Sequence, residues 1–343
     1  GPLTSDNHPM ITLLYNAPSL PPDHPDFAQE AGVMEAVEAV EAALARIGHA
    51  SQRLAVGPDP RSLAVELARN EADLVVNLFE GLHGTGAGES QVAGLLEWLA
   101  IPFTGTGSEA LALVRDKALT KWLLSGAGLP TPAFVLVTPH EPPDAVRLDA
   151  LLAAGPVIVK PAHEDASLGI GQSSVVADGA ALARQLDEVR RRYGAALVEQ
   201  FIAGREFNLG VVALPDAEML PLAEVEFPSD GRVPWNVVTY DAKWTPTSVE
   251  FDAGTPVRCP ADAAPQLAAE LRRVSLAAFR LTGCRDYARV DLRVDTGGNV
   301  YLLEVNANPD ISPSAGLANA MRVSGVGYDE FVGRLVETTR WRA

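Results

Sequence analysis

Arg289, Asp291, Glu304 and Asn306 are the residues whose types and spacing point most directly to chemistry. They stand in two alternating runs, Arg289-Val290-Asp291-Leu292-Arg293-Val294-Asp295 and Val300-Tyr301-Leu302-Leu303-Glu304-Val305-Asn306, around a Gly297-Gly298 turn. Such a pattern predicts a β-hairpin. Side chains alternate faces along a strand, so Arg289 and Asp291 share one face while Val290, Leu292 and Val294 share the other. On the second run Glu304 and Asn306 point one way, opposite to Tyr301, Leu303 and Val305. If the polar faces coincide, carboxylates, an amide oxygen and a guanidinium gather in one place. Oxygen ligands that leave room for substrate phosphates suit Mg²⁺, and an adjacent Arg suits an oxyanion. The bland alternative is an exposed edge hairpin with solvated charges. Glu304 and Asn306 weigh against it, because they interrupt a strand that otherwise reads as buried.

Other residues add to this set. Lys160 ends the apolar run Val157-Ile158-Val159, where a Lys is costly unless it meets an anion, so phosphate contact is expected. Lys117 opens a helix that stops at Gly126-Ala127-Gly128; a lone helical Lys is ordinarily solvated. His163 reads as a loop residue, with no second His at ligand spacing. Glu199 and Glu206 flank the connection between two strands. They are either solvated loop edges or parts of a hinge whose backbone reads an adenine ring, with Glu206 accepting bonds from ribose hydroxyls. A Gly-rich loop, Glu80 to Glu89 with His83 in it, follows an apolar run, at the strand end where open α/β sheets bind ligands. Its spacing is not that of a P-loop. The segment 225–256 is loop-rich and holds Trp235, Tyr240, Lys243 and Trp244; long aromatic loops of this kind act as lids.

The elements that must position these residues follow from periodicity. A strand at 10–15 precedes a helix marked by Val33, Val37, Val40, Leu44 and Ile47, which Gly48 ends. A strand at 52–56, a helix at 61–70, a strand at 73–79, a helix at 90–99 and a strand at 101–104 complete an open α/β domain with parallel strands. A helix at 261–281, broken by Pro265, leads into the hairpin, and a terminal helix is expected at 328–339. Residues 1–9 lack periodicity and read as a remnant of expression, with Met10 as the natural start.

Composition bounds the function. The 343 residues, 47% of them hydrophobic, allow two or three domains with real cores. A net charge of -17 argues against nucleic acid as partner, which would need a basic surface. No apolar run approaches the ~20 residues of a membrane span, and no signal segment follows Met10. Cys259 and Cys284 are too few and too far apart for a disulfide framework or a metal site and read as inert thiols in a reducing cytoplasm.

Taken in order, His83-Gly84, Asp116-Lys117, Lys160-Pro161, Glu199…Gly204-Arg205-Glu206, Tyr240-Asp241-Ala242-Lys243, Arg289-Val290-Asp291 and Leu302-Leu303-Glu304-Val305-Asn306-Ala307-Asn308-Pro309 resemble the D-alanine–D-alanine ligases of the ATP-grasp superfamily. The resemblance covers nearly the whole chain from Met10. It implies a three-domain ATP-grasp fold: an N-terminal α/β substrate domain at 10–115, a central subdomain at 116–206 and a C-terminal subdomain at 207–343. It also implies residue roles. Lys117 and Lys160 would bind ATP phosphates, and Lys243 would meet the γ-phosphate. Glu199 and the backbone of Gln200, Phe201 and Ile202 would hold the adenine, and Glu206 the ribose. Asp291, Glu304 and Asn306 would bind two Mg²⁺ ions, for which Mn²⁺ could substitute. Arg289 would stabilise a tetrahedral intermediate, and Ser167 matches the second Ser of the family's Gly-Ser-Ser loop. The implied reaction is ATP-dependent amide formation through an acyl phosphate, from small-molecule substrates, in the cytoplasm, with a homodimer compatible with the fold.

The substrate positions depart from the family. Glu30 is the counterpart of the Glu that holds the first amino group, in a stretch that lacks the family's Ser. Asp165-Ala166-Ser167 loses a glycine and a hydroxyl. Asp310 stands where a Gly is usual, and the Ser that holds the acceptor carboxylate falls at Ala315 or, with a gap, at Ser314. The expected enzyme is therefore a carboxylate–amine ligase acting on substrates other than the D-alanine pair. The alternatives are a genuine D-alanine–D-alanine ligase and an ATP-grasp kinase. A non-enzymatic regulator should have lost Asp291 and Glu304, and both are present.

Overall fold

The apolar runs near the start of the chain pair side by side. Ile11–Asn16 (β1), Ser51–Val56 (β2) and Leu74–Leu78 (β3) form a parallel sheet in the order β2-β1-β3. Parallel neighbours need crossovers, and two helices supply them, Val33–Arg46 (α1) and Pro60–Arg69 (α2). Val33, Val37, Val40 and Leu44 of α1 are all buried, as their spacing predicts. Glu89–Trp98 (α3) and Ser108–Arg115 (α4) follow. The strand expected at 101–104 is only one parallel bridge, Phe103 to Val75. Pro102 has no N–H to donate to a ladder, and Gly105, at φ +86°, turns the chain away. This computed structural model describes residues 10–342 apart from 18–19, 22, 25–26, 28–30, 70–71, 83–85, 87 and 165.

Lys117–Gly126 (α5) starts at Asp116, whose carboxylate accepts a bond from the Leu119 N–H at 2.9 Å, a standard N-cap. A four-stranded antiparallel sheet comes next, built from Phe134–Val137 (β4), Val157–Pro161 (β5), Val175–Val176 (β6) and Ala196–Gln200 (β7) in the order β4-β7-β5-β6. Helices Ala145–Ala154 (α6) and Gly179–Tyr193 (α7) pack on one of its faces, over Val135, Val157, Val159 and Val198. Period-2 alternation then sends Ile158, Lys160 and Glu199 to the other face.

A second antiparallel sheet has six strands. Gly204–Ala213 (β8), Ala217–Met219 (β9), Glu224–Val225 (β10) and Val257–Arg258 (β11) are joined by the hairpin Tyr287–Asp295 (β12) and Val300–Asn306 (β13). The loop-rich segment before β11 carries two one-turn helices, Tyr240–Trp244 (α8) and Val249–Ala253 (α9). Pro265 opens rather than breaks the helix Pro265–Leu281 (α10), since the first helical N–H has no partner to lose. Val290, Leu292 and Leu302 bury against Leu271, Val274 and Ala278 of that helix. The chain ends in Gly316–Val323 (α11) and Tyr328–Arg342 (α12). Phe331, Val332, Leu335 and Val336 of α12 share a core with Ile11, Leu13, Leu74 and Val76, so the last helix closes over the first sheet.

Candidate active site

A cavity of about 400 Å³ lies where the two antiparallel sheets face each other beside the loops that follow β1 and β3. The hairpin supplies its floor. Arg289 pairs with Asn306 and Asp291 with Glu304 in the β12–β13 register, so the two carboxylate residues stand directly opposite. The next pair is Leu292 with Leu302, which leaves Leu303 as an extra residue. This bulge corrects the strict alternation expected for the second strand: Leu303 lines the cavity beside Glu304 and Asn306 instead of turning to the apolar face.

Cations and anions interlock around this floor. Asp291 accepts two bonds from the Arg289 guanidinium, at 2.7 and 2.8 Å. Lys117, 4% exposed, places Nζ 3.4 Å from Glu304 Oε2. Burial would raise the Glu304 carboxyl, but Lys117, Lys160, Arg289 and Lys243 outweigh it and hold it down at about 2. Burial, with Arg289 adding to it, lowers the Lys243 ammonium. Glu206 takes two bonds from Arg293, at 3.0 and 2.7 Å, and burial still raises it. Arg293 also donates to the Ile202 and Asn236 carbonyls and lies over the Phe201 ring. Glu199 sits between Lys160, at 2.5 Å, and Lys121, at 2.9 Å. Against its own burial, those two cations keep Glu199 ionised. One carboxylate cannot balance two ammonium groups, and burial lowers Lys121.

The opposite end of the cavity is acidic. Glu80 and Asp310 both line it, and burial together with the Asp310 charge pushes the Glu80 carboxyl up to about 8. Asn308 clasps this end by donating to the Phe79 carbonyl at 2.9 Å and to Glu89 at 2.8 Å. Asp310 accepts from the Ser312 N–H and hydroxyl at 2.7 and 2.9 Å.

The cavity thus brings together Lys160, Ser167, Glu199, Gln200, Phe201, Ile202, Glu206, Lys243, Arg289, Asp291, Glu304, Asn306 and Asp310. Lys117 joins through Glu304. Ser314 is exposed and does not line the cavity, while Glu30 and His83 lie outside the described residues. Ser167 stands at φ +64°, in the left-handed region. The sequence reading passed over Lys121 and Arg293, although a signal existed for each. Lys121 is four residues from Lys117, on the same helix face, and Arg293 is two residues from Asp291, on the same strand face.

The donor set fits Mg²⁺. Among the described residues, no three His, Cys, Asp or Glu side chains gather as a ready cage. Asp291, Glu304 and Asn306 would offer side-chain oxygens, the ligand type that Mg²⁺ takes beside nucleotide phosphates. No helix of the described residues is long and apolar enough to cross a membrane.

The profile of the D-ala D-ala ligase C-terminus family matches residues 123–337. D-alanine–D-alanine ligase B of Chromobacterium violaceum is 33% identical over 286 residues, covering 82% of this chain and 86% of that protein. The D-alanine–D-alanine ligase of Acinetobacter baumannii is 30% identical over 312 residues, covering 91% and 92%. Among solved structures, D-alanine–D-alanine ligase from Bacillus anthracis complexed with ATP aligns with a TM-score of 0.76 at 21% identity, over 97% of this chain and 98% of that one.

Proposed function

The chain belongs to the D-alanine–D-alanine ligase family and is an ATP-dependent ligase that forms C–N bonds, and we propose that it joins a carboxylate to an amine through an acyl phosphate. The observation that carries this reading is the meeting of Asp291 and Glu304 with Lys160, Lys243 and Arg289 on one cavity. A carboxylate is a poor acyl donor. In the proposed first step its oxygen attacks the γ-phosphorus of ATP and ADP leaves. The amine then attacks the acyl carbon, the C–O bond breaks, and phosphate departs with that oxygen.

Each residue has a place in this scheme. Lys117 and Lys160 bind the nucleotide phosphates, and Lys243 meets the transferring group, where positive charge stabilises the charge that develops. The backbone of Gln200, Phe201 and Ile202 holds the adenine, and Glu206 the ribose. Glu199 lines the same wall, but its carboxylate is engaged by two lysines, so we assign it to them rather than to the base. Asp291, Glu304 and Asn306 would hold two Mg²⁺ ions, which would supply neutralisation of charge on the phosphoryl group. Arg289 faces the oxyanion that forms when the amine adds. Trp244 and the 237–243 segment close the cavity and keep water from the acyl phosphate. The acidic end, with Glu80 and Asp310, suits ammonium groups, and Asp310 in place of the usual Gly supports substrates other than the D-alanine pair. The names of the relatives favour the second reading, the D-alanine pair itself.

Phosphate release from MgATP against D- and L-amino acids, singly and in pairs, decides between them. Turnover only with another acid or pair supports the first reading. D-alanine alone giving phosphate and the dipeptide supports the second. ADP with a stable phosphorylated product and no free phosphate would make the enzyme a kinase and overturn both.

A further inference from the structure

Lys121 has no task in this scheme. It is 1% exposed, and its ammonium sits 2.9 Å from Glu199 Oε2, while Lys160 sits 2.5 Å from Oε1. Glu199 is itself 2% exposed. Lys160 lines the cavity and Lys121 does not. A buried carboxylate needs one partner, and a second buried ammonium is costly. The cost is offset if the first partner leaves during the reaction cycle. We propose that Lys121 is a standby counter-ion: when the Lys160 ammonium turns from Glu199 to a nucleotide phosphate, Lys121 keeps Glu199 from becoming a lone buried charge. The inference rests on reading Lys160 as a nucleotide ligand. The charged groups that face Glu199 are Lys121 from α5 and Lys160 from β5, and Glu304 of β13 acts on Lys121.

The consequence is specific. Without Lys121, Lys160 can leave only if Glu199 takes up a proton. Nucleotide binding then becomes linked to proton uptake, and the dissociation constant rises by up to about tenfold per pH unit. The test is the dissociation constant of ADP for the full chain, measured calorimetrically between pH 6 and 8 and compared with the unsubstituted protein. Lys121→Met and Lys121→Gln should bind ADP more weakly at pH 8 and recover toward pH 6, while Lys121→Arg should follow the unsubstituted profile. Lys121→Gln keeps a hydrogen-bond donor for Glu199 and removes only the charge, so it remains informative if the Met variant does not fold. A profile parallel to the unsubstituted one in the Gln variant overturns the inference. Lys160→Met separates the premise: unchanged ADP binding there would mean Lys160 is not a nucleotide ligand. A loss there combined with parallel Lys121 profiles refutes the standby role alone.

Discussion

Glu304 stands opposite Asp291, and four cations act on it: Lys117, Lys160, Arg289 and Lys243. Glu304→Ala should abolish ADP formation and keep the native circular dichroism spectrum, while lowering the melting transition because buried Lys117 loses its partner; unchanged turnover would remove it from the metal site. Lys243→Ala should slow phosphoryl transfer far more than it weakens ADP binding, which rapid-quench kinetics beside calorimetry would separate. Glu199 carries a stability prediction. Replacing it with Gln strands two buried lysines and should cost about 3–5 kcal/mol in denaturant unfolding. Its folded pKa is lowered from 4.5, so its contribution is present above that value and is lost as pH falls below it. The Gln variant should therefore lose stability less steeply than the unsubstituted protein over that acid range. At this scale the sequence spoke clearly wherever a charge interrupted an apolar run, as at Lys160 and Glu304. It was silent on Lys121, because a Lys in a helix looks the same whether solvent or a buried carboxylate receives it.

The hairpin β12–β13 positions the chemistry, and two backbone features tune it. The bulge at Leu303 shifts the second strand, and alternation alone cannot reveal an inserted residue. Deleting Leu303 should restore regular pairing, with Leu302 still opposite Leu292 and Tyr301 still opposite Arg293, and remove the side chain that lines the cavity beside Glu304. Turnover should fall while the circular dichroism spectrum holds, and unchanged turnover would free the bulge of any role in the site. Gly204, at φ +144°, starts β8 beside Asp295, and a methyl group there would lie 2.1 Å from the Val294 carbonyl oxygen. Gly204→Ala should lower stability by roughly 1–3 kcal/mol or more and loosen the β8–β12 pairing that sets Glu206 against Arg293. A thermal midpoint unchanged within error would show that the strand start yields freely. Parallel strands and amphipathic helices of the first sheet were legible because period and burial agree. The chain at 101–104 was not, because one proline and one glycine decide whether a short apolar run becomes a strand.

On the scale of the whole molecule, the cavity exists only because distant segments meet over it. Gln172 ties the 225–256 segment to the four-stranded side through Trp235, donating to its carbonyl at 3.2 Å and accepting from its N–H at 2.9 Å. Tyr240 donates its N–H to the Ile170 carbonyl at 2.9 Å. Gln172→Ala should leave the cover less well closed and raise the ratio of ATP consumed to amide formed, as acyl phosphate is lost to water; a ratio held at unity would free this tie from any role in closure. Sequence order showed which motifs co-occur, but not that α12 would return to the first sheet, since long-range packing leaves no local period. In the proposed reaction a carboxylate oxygen passes through an acyl phosphate into the released phosphate. Turnover of MgATP with each candidate acid labelled with ¹⁸O in its carboxylate tests it most directly, by mass analysis of the released phosphate. One labelled oxygen should appear in each phosphate when amide forms. Unlabelled phosphate alongside amide would contradict that reaction.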